Sequence, residues 1–359
     1  MKDIYTEIIN GLEAKEQLAL ATIINRVGSA PREAGAKYLV KKDGTTIGSI
    51  GGGCVEADVW QEARKTMEKG EGKILHFNLT SEQLAEGGLI CGGNIDIFLE
   101  PIMEDSLNIY REVLKARQQG ETGILATVIS VDGVFPKMDG VKEFVKASGE
   151  KTGSLFWGKD LEERILGEAE RVTRERKPAV FVLSSEAADH PWKKIEVLLE
   201  PIISEPTVYI FGAGHISQQL VPLVKKVHFK TVVIDDREMF ANRDRFPEVD
   251  EIIVSDFEKS FERITIDNSS YIVIVTRGHL YDGLILGNAV KTEAQYIGMI
   301  GSKKKIQILY QNLLMEGVPK EVLDRVHAPI GLDIHSETPE EIAVSIVAQL
   351  IKERRGKLA

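Results

Sequence analysis

Two stretches of this chain join a thiol to a backbone that can come close to a ligand. Gly51-Gly52-Gly53-Cys54 is followed two residues later by an acid, Glu56, and Cys91-Gly92-Gly93 repeats the pairing of cysteine with glycine. A thiolate is a soft ligand, suited to molybdenum, to copper or to sulfur transfer. Neither stretch fits zinc, because there is no Cys-x-x-Cys and too few other ligands stand nearby. The competing role for each cysteine is burial as a small apolar side chain. The glycine contexts favour chemistry at Cys54 and Cys91.

A second constellation follows the short apolar run at residues 207–211. Gly212 and Gly214 take the first two positions of the Gly-x-Gly-x-x-Gly loop, and Ser217 takes the third. The first glycine permits a tight turn and the second lets backbone approach a phosphate. Asp235 lies 21 residues past Gly214, at the end of the next apolar run and ahead of Asp236 and Arg237. An acid there can hold ribose hydroxyls. NAD is one ligand for such a loop; because Ser217 departs from the fingerprint, another phosphate-bearing molecule is the alternative. His215 is either a ligand or proton donor above the phosphate, or a solvent-facing side chain of the first helical turn.

Thr276-Arg277-Gly278-His279-Leu280-Tyr281-Asp282 follows a further apolar run. In doubly wound sheets ligands lie beyond the carboxyl ends of the strands. Arg277, His279 and Asp282 are therefore placed for an anion, with Arg277 offering a bidentate fork. A cap in which Thr276 and Asp282 satisfy loop amides is the competing reading. Gly301-Ser302-Lys303-Lys304-Lys305 is another strand-to-helix turn, suited to an anion or simply solvated. There is neither a Gly-x-Ser-x-Gly elbow nor a P-loop.

The elements that must position these residues begin with a duplication. Residues 20–24 (LATII) match 125–129 (LATVI) at an offset of 105, as Gly48-Ser49-Ile50 matches Gly153-Ser154-Leu155. Residues 95–102 (IDIFLEPI) match 195–202 (IEVLLEPI) at an offset of 100. Each copy reads as a first strand buried on both faces, a turn into a second strand, a helix, and a closing strand stopped by Pro101 or Pro201. Only copy one carries the cysteines; copy two has Phe156-Trp157-Gly158 and Asp189-His190-Pro191-Trp192 in those places. After Pro206, strands at 207–211, 231–234, 251–254, 271–275, 295–300 and 325–327 alternate with helical stretches, which predicts a parallel, doubly wound sheet. Thr338-Pro339-Glu340-Glu341 caps a final helix running to about Glu353. The expected architecture is an α/β chain: a duplicated α+β domain over 1–205, in repeats of 1–105 and 106–205, then a Rossmann-like doubly wound parallel sheet over 206–359.

Composition narrows the classes. The 359 residues carry 45 basic and 55 acidic side chains, a net charge of −10, which argues against nucleic acid as a partner. Hydrophobic residues make up 43%, enough to bury a core. Two cysteines do not build a disulfide scaffold, and no apolar run spans a bilayer. The first residues lack the apolar stretch of a secretory signal, so a cytoplasmic protein with no membrane association is expected.

In these motifs the chain resembles the XdhC/CoxI family, the accessory proteins of xanthine dehydrogenase and related molybdenum hydroxylases. The resemblance rests on Gly28 to Arg32, Gly48 to Glu56 and Cys91-Gly92-Gly93, and on Phe211 to Ser217, Asp235 to Arg237, Thr276 to Asp282, Tyr296 to Lys303 and Pro329 to Asp333. It implies a carrier that binds molybdenum cofactor and hands it to an apo-enzyme, with a link to adding the terminal sulfur. Family members are often labelled xanthine dehydrogenase subunits; this chain has neither the four-cysteine pattern of a [2Fe–2S] cluster nor the length of a large molybdenum subunit. The implied partner is a molybdenum hydroxylase such as xanthine dehydrogenase. A cysteine desulfurase and a second copy of the chain are further partners compatible with the resemblance. Cys54 and Cys91 would contact molybdenum or sulfur, and one cleft would join Cys54 or Cys91 to the Arg277–His279 strand end. The alternative is an NAD-dependent oxidoreductase built on the Rossmann half.

Overall fold

The computed structural model describes residues 3–79, 93–136, 141–155, 159–185 and 192–356. Two compact units divide the chain, Met1–Ser204 and Glu205–Ala359. In the first unit, α1 (Ile4–Glu13) precedes β1 (Leu18–Val27), β2 (Lys37–Lys41), β3 (Thr46–Gly48), α2 (Gly53–Lys69), β4 (Lys73–Asn78) and β5 (Asn94–Ile102). The same series then recurs as α3 (Leu107–Gln119), β6 (Gly123–Val131), β7 (Val141–Lys146), β8 (Lys151–Leu155), α4 (Lys159–Glu175), β9 (Ala179–Ser184) and β10 (Lys194–Ile202). The two sheets have matching orders, β3-β2-β1-β5-β4 and β8-β7-β6-β10-β9, and are antiparallel throughout.

Each copy is richer than its apolar runs suggest. The turn at Asp43-Gly44 closes a β2–β3 hairpin, and β4 flanks β5, so five strands form where sequence periodicity shows three. Residues of β4 are mostly half-buried, with no clean alternation to betray a strand. Pro101 and Pro201 do not stop their strands, which continue to Ile102 and Ile202. The reason is local: β4 begins only opposite Leu99 and β9 only opposite Leu199, so each proline sits where its strand has a neighbour on one side only.

Alternation along β1 explains its apolar run. Ala19, Ala21 and Ile23 pack beneath Val55, Val59 and Ala63 of α2. Leu18 and Leu20 face the other way, toward α1, α3 and the second copy's Leu125 and Phe144. Ile124, Ala126 and Val128 of β6 lie correspondingly beneath Ile165 and Val172 of α4. The copies thus cover each other's second face, as a sheet apolar on both sides requires.

Charges cross this seam in a reciprocal pair. Lys37, opposite Thr22 in the β1–β2 ladder, donates to the Thr22 hydroxyl at 3.1 Å and to Glu200 of the second copy. Lys142, opposite Thr127, donates to its hydroxyl at 2.8 Å and to Glu100 of the first copy at 3.0 Å. The four charged side chains are between 5% and 11% exposed. Burial works against the Lys37 ammonium, but Glu200, with Tyr5 and Glu100, more than offsets it and holds the pKa above the ordinary lysine value. Tyr5 and Tyr110, at the same 105-residue offset, lie with ring centroids 6.2 Å apart, and burial raises both phenols. The lysine carbonyls also fix two glycines: a Cβ on Gly48 would stand 2.3 Å from the Lys37 oxygen, and one on Gly153 would stand 2.5 Å from that of Lys142.

The second unit begins with β11 (Thr207–Phe211), α5 (His215–Lys226), β12 (Lys230–Asp235), β13 (Glu251–Val254) and the short α6 (Phe257–Ser260). It continues with β14 (Ser270–Ile274), α7 (His279–Ala289), β15 (Tyr296–Met299), α8 (Lys303–Met315), the short α9 (Lys320–Leu323) and α10 (Pro339–Gly356). The strands form one parallel sheet, β13-β12-β11-β14-β15. Val208 and Ile210 face α5 and α10, while Tyr209 and Phe211 face α7 and α8, so the sheet is doubly wound. Residues 325–327 are not a strand. Only His327 pairs, as an isolated parallel bridge to Gly298, because Val326 closes a turn onto Leu323 and Pro329 cannot extend a ladder. Among the described residues no helix is long and apolar enough to cross a membrane.

Breaking one member of a buried pair leaves an uncompensated charge. The Glu100→Gln variant is expected to lose about 3–5 kcal/mol of stability, measured as the urea midpoint of the first unit's transition. The double variant Glu100→Leu/Lys142→Met should recover most of that loss; equal destabilisation by single and double variants would contradict the pairing.

Candidate functional site

Residues singled out by the sequence fall into two clusters, one in each unit. In the first, the glycine loop is tied down from within. The Glu56 carboxylate, on the first turn of α2, accepts through Oε1 from the Ser49 hydroxyl at 2.8 Å, from Ile50 N–H at 3.1 Å and from Gly52 N–H at 2.9 Å. This satisfies amides that a helix start leaves without partners and fixes the turn that carries Cys54. Gly51 packs against the Pro31 ring, and Gly93 lies against the carbonyls of Val27 and Ser29. The segments around Gly28 to Arg32, Gly51 to Cys54 and Gly93 are therefore neighbours.

Cys54 is a free thiol with an exposed side chain. It is open to a soft metal, to a persulfide donor or to an alkylating reagent. Cys91 and Gly92 lie outside the described residues. Among the described residues no group of three or more His, Cys, Asp or Glu side chains is arranged to hold a metal ion.

The second cluster sits beyond the carboxyl ends of β11, β12, β14 and β15, where the strand order reverses between β11 and β14. Gly212 has φ +109°, and a Cβ there would stand 2.6 Å from the Val275 carbonyl oxygen. Only glycine suits this crossing of two loops. Ser217 is fully buried, and its hydroxyl donates to the Gly212 carbonyl. The side chain that breaks the fingerprint thus closes the loop itself. His215 is the first residue of α5 and is exposed.

Asp235 is 1% exposed, and both its oxygens are engaged. Oδ2 accepts from Ala213 N–H at 2.8 Å and from Arg237 Nη2 at 3.1 Å; Oδ1 accepts from Arg237 N–H at 3.0 Å and Nε at 2.9 Å. Burial opposes ionisation, yet the Arg237 side chain and the two amides hold the carboxyl below its ordinary value. Asp236 Oδ2 accepts from Arg277 Nη2 at 2.7 Å, and the Arg277 guanidinium lies 5.1 Å from the Tyr281 ring centre. Arg237 stacks over Phe240 at 3.9 Å. Two guanidiniums therefore flank Asp236 at the strand ends.

Asp282 is fully buried and accepts from the Thr276 hydroxyl at 2.5 Å and from the Lys305 ammonium. It joins the β14 loop to the first turn of α8. The His279 side chain lies outside the described part of the structure. Sequence reasoning passed over the pairing of Lys305 with Asp282 and the bond from Ser217 to Gly212. A buried acid's need for a cation was the available signal for the first; nothing in the linear pattern pointed to the second.

Two outcomes are expected here. In a Cys91→Ser background, the native protein should take up one equivalent of a thiol reagent at a rate comparable to the unfolded chain; strong protection would contradict an open Cys54. Gly212→Ala should unfold at a temperature lower by several degrees, read by calorimetry, because its Cβ meets backbone that cannot yield.

Both units match known proteins. A family model described as "XdhC and CoxI family" matches residues 12–78 and 116–184, the corresponding stretches of the two copies. A second, "XdhC Rossmann domain", matches residues 208–350. A Bacillus subtilis (strain 168) protein, named as a probable xanthine dehydrogenase subunit, is 27% identical over 357 residues, covering 99% of this chain and 98% of that protein. The "Molybdenum cofactor insertion chaperone PaoD" of Escherichia coli (strain K12) is 31% identical over 94 residues, 26% of this chain and 29% of that protein. A crystal structure described as that of a xanthine dehydrogenase from Bacillus halodurans superposes with a TM-score of 0.77 at 29% identity, covering 98% of this chain and 96% of that one.

Proposed function

Because the chain belongs to the XdhC and CoxI family, we propose that it binds molybdenum cofactor as cargo and delivers it, with its terminal sulfur, to a molybdenum hydroxylase of the xanthine dehydrogenase type. The observation that carries this reading is the exposed Cys54 thiol in the first turn of α2, behind a glycine loop pinned by Glu56. A thiol held on a fixed turn can meet a soft metal centre or carry a sulfur atom without itself needing to be buried. The alignment with a protein named as a cofactor insertion chaperone supports the same role.

In the second unit the Gly212–Gly214 turn offers backbone to a phosphate, and Arg237 and Arg277 offer guanidiniums beside it. These suit the phosphate or dinucleotide end of a pterin cofactor, with His215, His279, Asp236 and Asp282 as surrounding groups. A cysteine desulfurase is the matching source of sulfur for Cys54 or Cys91. The NAD-dependent oxidoreductase alternative has less support. Asp235, the acid that would hold the nicotinamide nucleotide's ribose, has both oxygens occupied by Ala213 and Arg237.

The test is molybdenum content and pterin fluorescence after incubation with released cofactor and gel filtration. Wild type should retain cofactor, and Cys54→Ser and Cys91→Ser should retain at least tenfold less, a difference of about 1.4 kcal/mol in binding. No retention by wild type would sink the carrier reading; equal retention by the variants would remove the thiols from it.

A further inference from the structure

The duplication leaves a cavity of about 420 Å³ at one end of the seam, bounded by β1, β4 and β5 of one copy and by β6, β9 and β10 of the other. Its volume is within the range of small-molecule sites. Two β-bulges shape it. The β1–β5 register slips between Ile23 and Asn25, leaving Ile24 unpaired, and the β6–β10 register slips in the same way around Ile129, 105 residues on. Each bulge breaks the two-residue alternation, so consecutive residues can both face the seam. Ile24 and Ile129 join one apolar cluster with Phe98 and Leu198, and Ile74 and Val180 pack against it. These give the cavity apolar walls from two facing sheets.

Its polar groups are not symmetric. Asp96 is opposite Asn25 on one side and His76 on the other. Its carboxylate accepts from the Asn25 amide at 2.8 Å and meets His76 Nδ1 at 2.7 Å. That bond orients the imidazole and leaves Nε2 for a ligand. The second copy answers Asp96 with Glu196, whose oxygen is held by Lys194 at 2.6 Å, with the lysine side chain 51% exposed. Such an exposed pair is weak and readily displaced.

Among the described residues the lining carries two carboxylates and no arginine or lysine, which disfavours an anion. No described group of three ligands is arranged for a metal. A carboxylate facing a slot between apolar sheets matches a flat ring with two adjacent N–H donors, the mirror of the arginine fork. We propose that this cavity binds the 2-amino-4-oxopyrimidine edge shared by pterins and guanine, with Glu196 accepting both N–H groups and His76 Nε2 meeting a further ring atom. The choice of a pterin rests on the carrier reading; the recognition chemistry does not.

The test titrates full-length protein with 6-hydroxymethylpterin, which is uncharged near neutral pH and carries no molybdenum, and separately with guanosine, following fluorescence and calorimetry. Saturable pterin binding that Glu196→Gln and His76→Ala each weaken at least tenfold is the expected result. Guanosine binding with the same sensitivity also upholds the site and assigns it to a nucleobase. Failure of both ligands to saturate, or binding indifferent to both seam variants, overturns the proposal. The two hypotheses separate cleanly. Retained molybdenum with pterin binding indifferent to Glu196 removes the cavity and keeps the carrier, and the converse keeps the cavity alone.

Discussion

The first unit depends on a reciprocal exchange of charge. Each copy's lysine sits in its own ladder beside its own threonine, and reaches a glutamate that belongs to the other copy. Neither ammonium could remain buried with only its threonine, because removing an ion from water costs more than one hydroxyl returns. The two sheets must therefore meet in the register that brings Lys37 to Glu200 and Lys142 to Glu100. Apolar burial supplies the attraction between the faces, and the charges choose among the ways of stacking them. The bulges at Ile24 and Ile129 arise within each copy's own ladder, and this stacking brings the two isoleucines into one cluster across the seam.

Duplication also explains how one scaffold accommodates a cysteine-bearing glycine loop in one copy only. Both copies need the glycine within the short third strand, since a side chain there would strike the lysine carbonyl. Beyond that glycine the two copies are free to differ. Copy one continues Ile50-Gly51-Gly52-Gly53-Cys54, and copy two continues Leu155-Phe156-Trp157-Gly158. In copy one the Glu56 carboxylate takes up the loop amides, so the thiol rests on a turn whose geometry is set before any ligand arrives.

Buried acids do comparable work in the second unit. Asp235 binds the Gly212–Ala213 turn to Arg237, and Asp282 binds the β14 loop to α8 through Lys305. Each acid is desolvated, so it must collect donors, and those donors come from different strand ends. The carboxyl edge of the sheet is thereby held as a single framework from which Arg277 and the backbone of the Gly212 turn project.

Much was legible in the linear order of residues. The apolar runs at 20–24 and 125–129 declared the duplication, and Gly212, Gly214 and Asp235 declared the parallel sheet, because both signals are local: burial on two faces demands a continuous apolar run, and a tight turn demands glycine. Sequence also marked Cys54 by its glycines and by its absence from copy two. Tertiary structure alone decided which charges pair, since Lys37 and Glu200 are 163 residues apart and nothing near either names the other. It decided that the Ser217 hydroxyl closes the Gly212 turn, and that Asp235 turns inward to Ala213 and Arg237. Periodicity records which face of an element is apolar, whereas the partner that covers the face, and the donors that satisfy a buried acid, are set only when distant segments pack together.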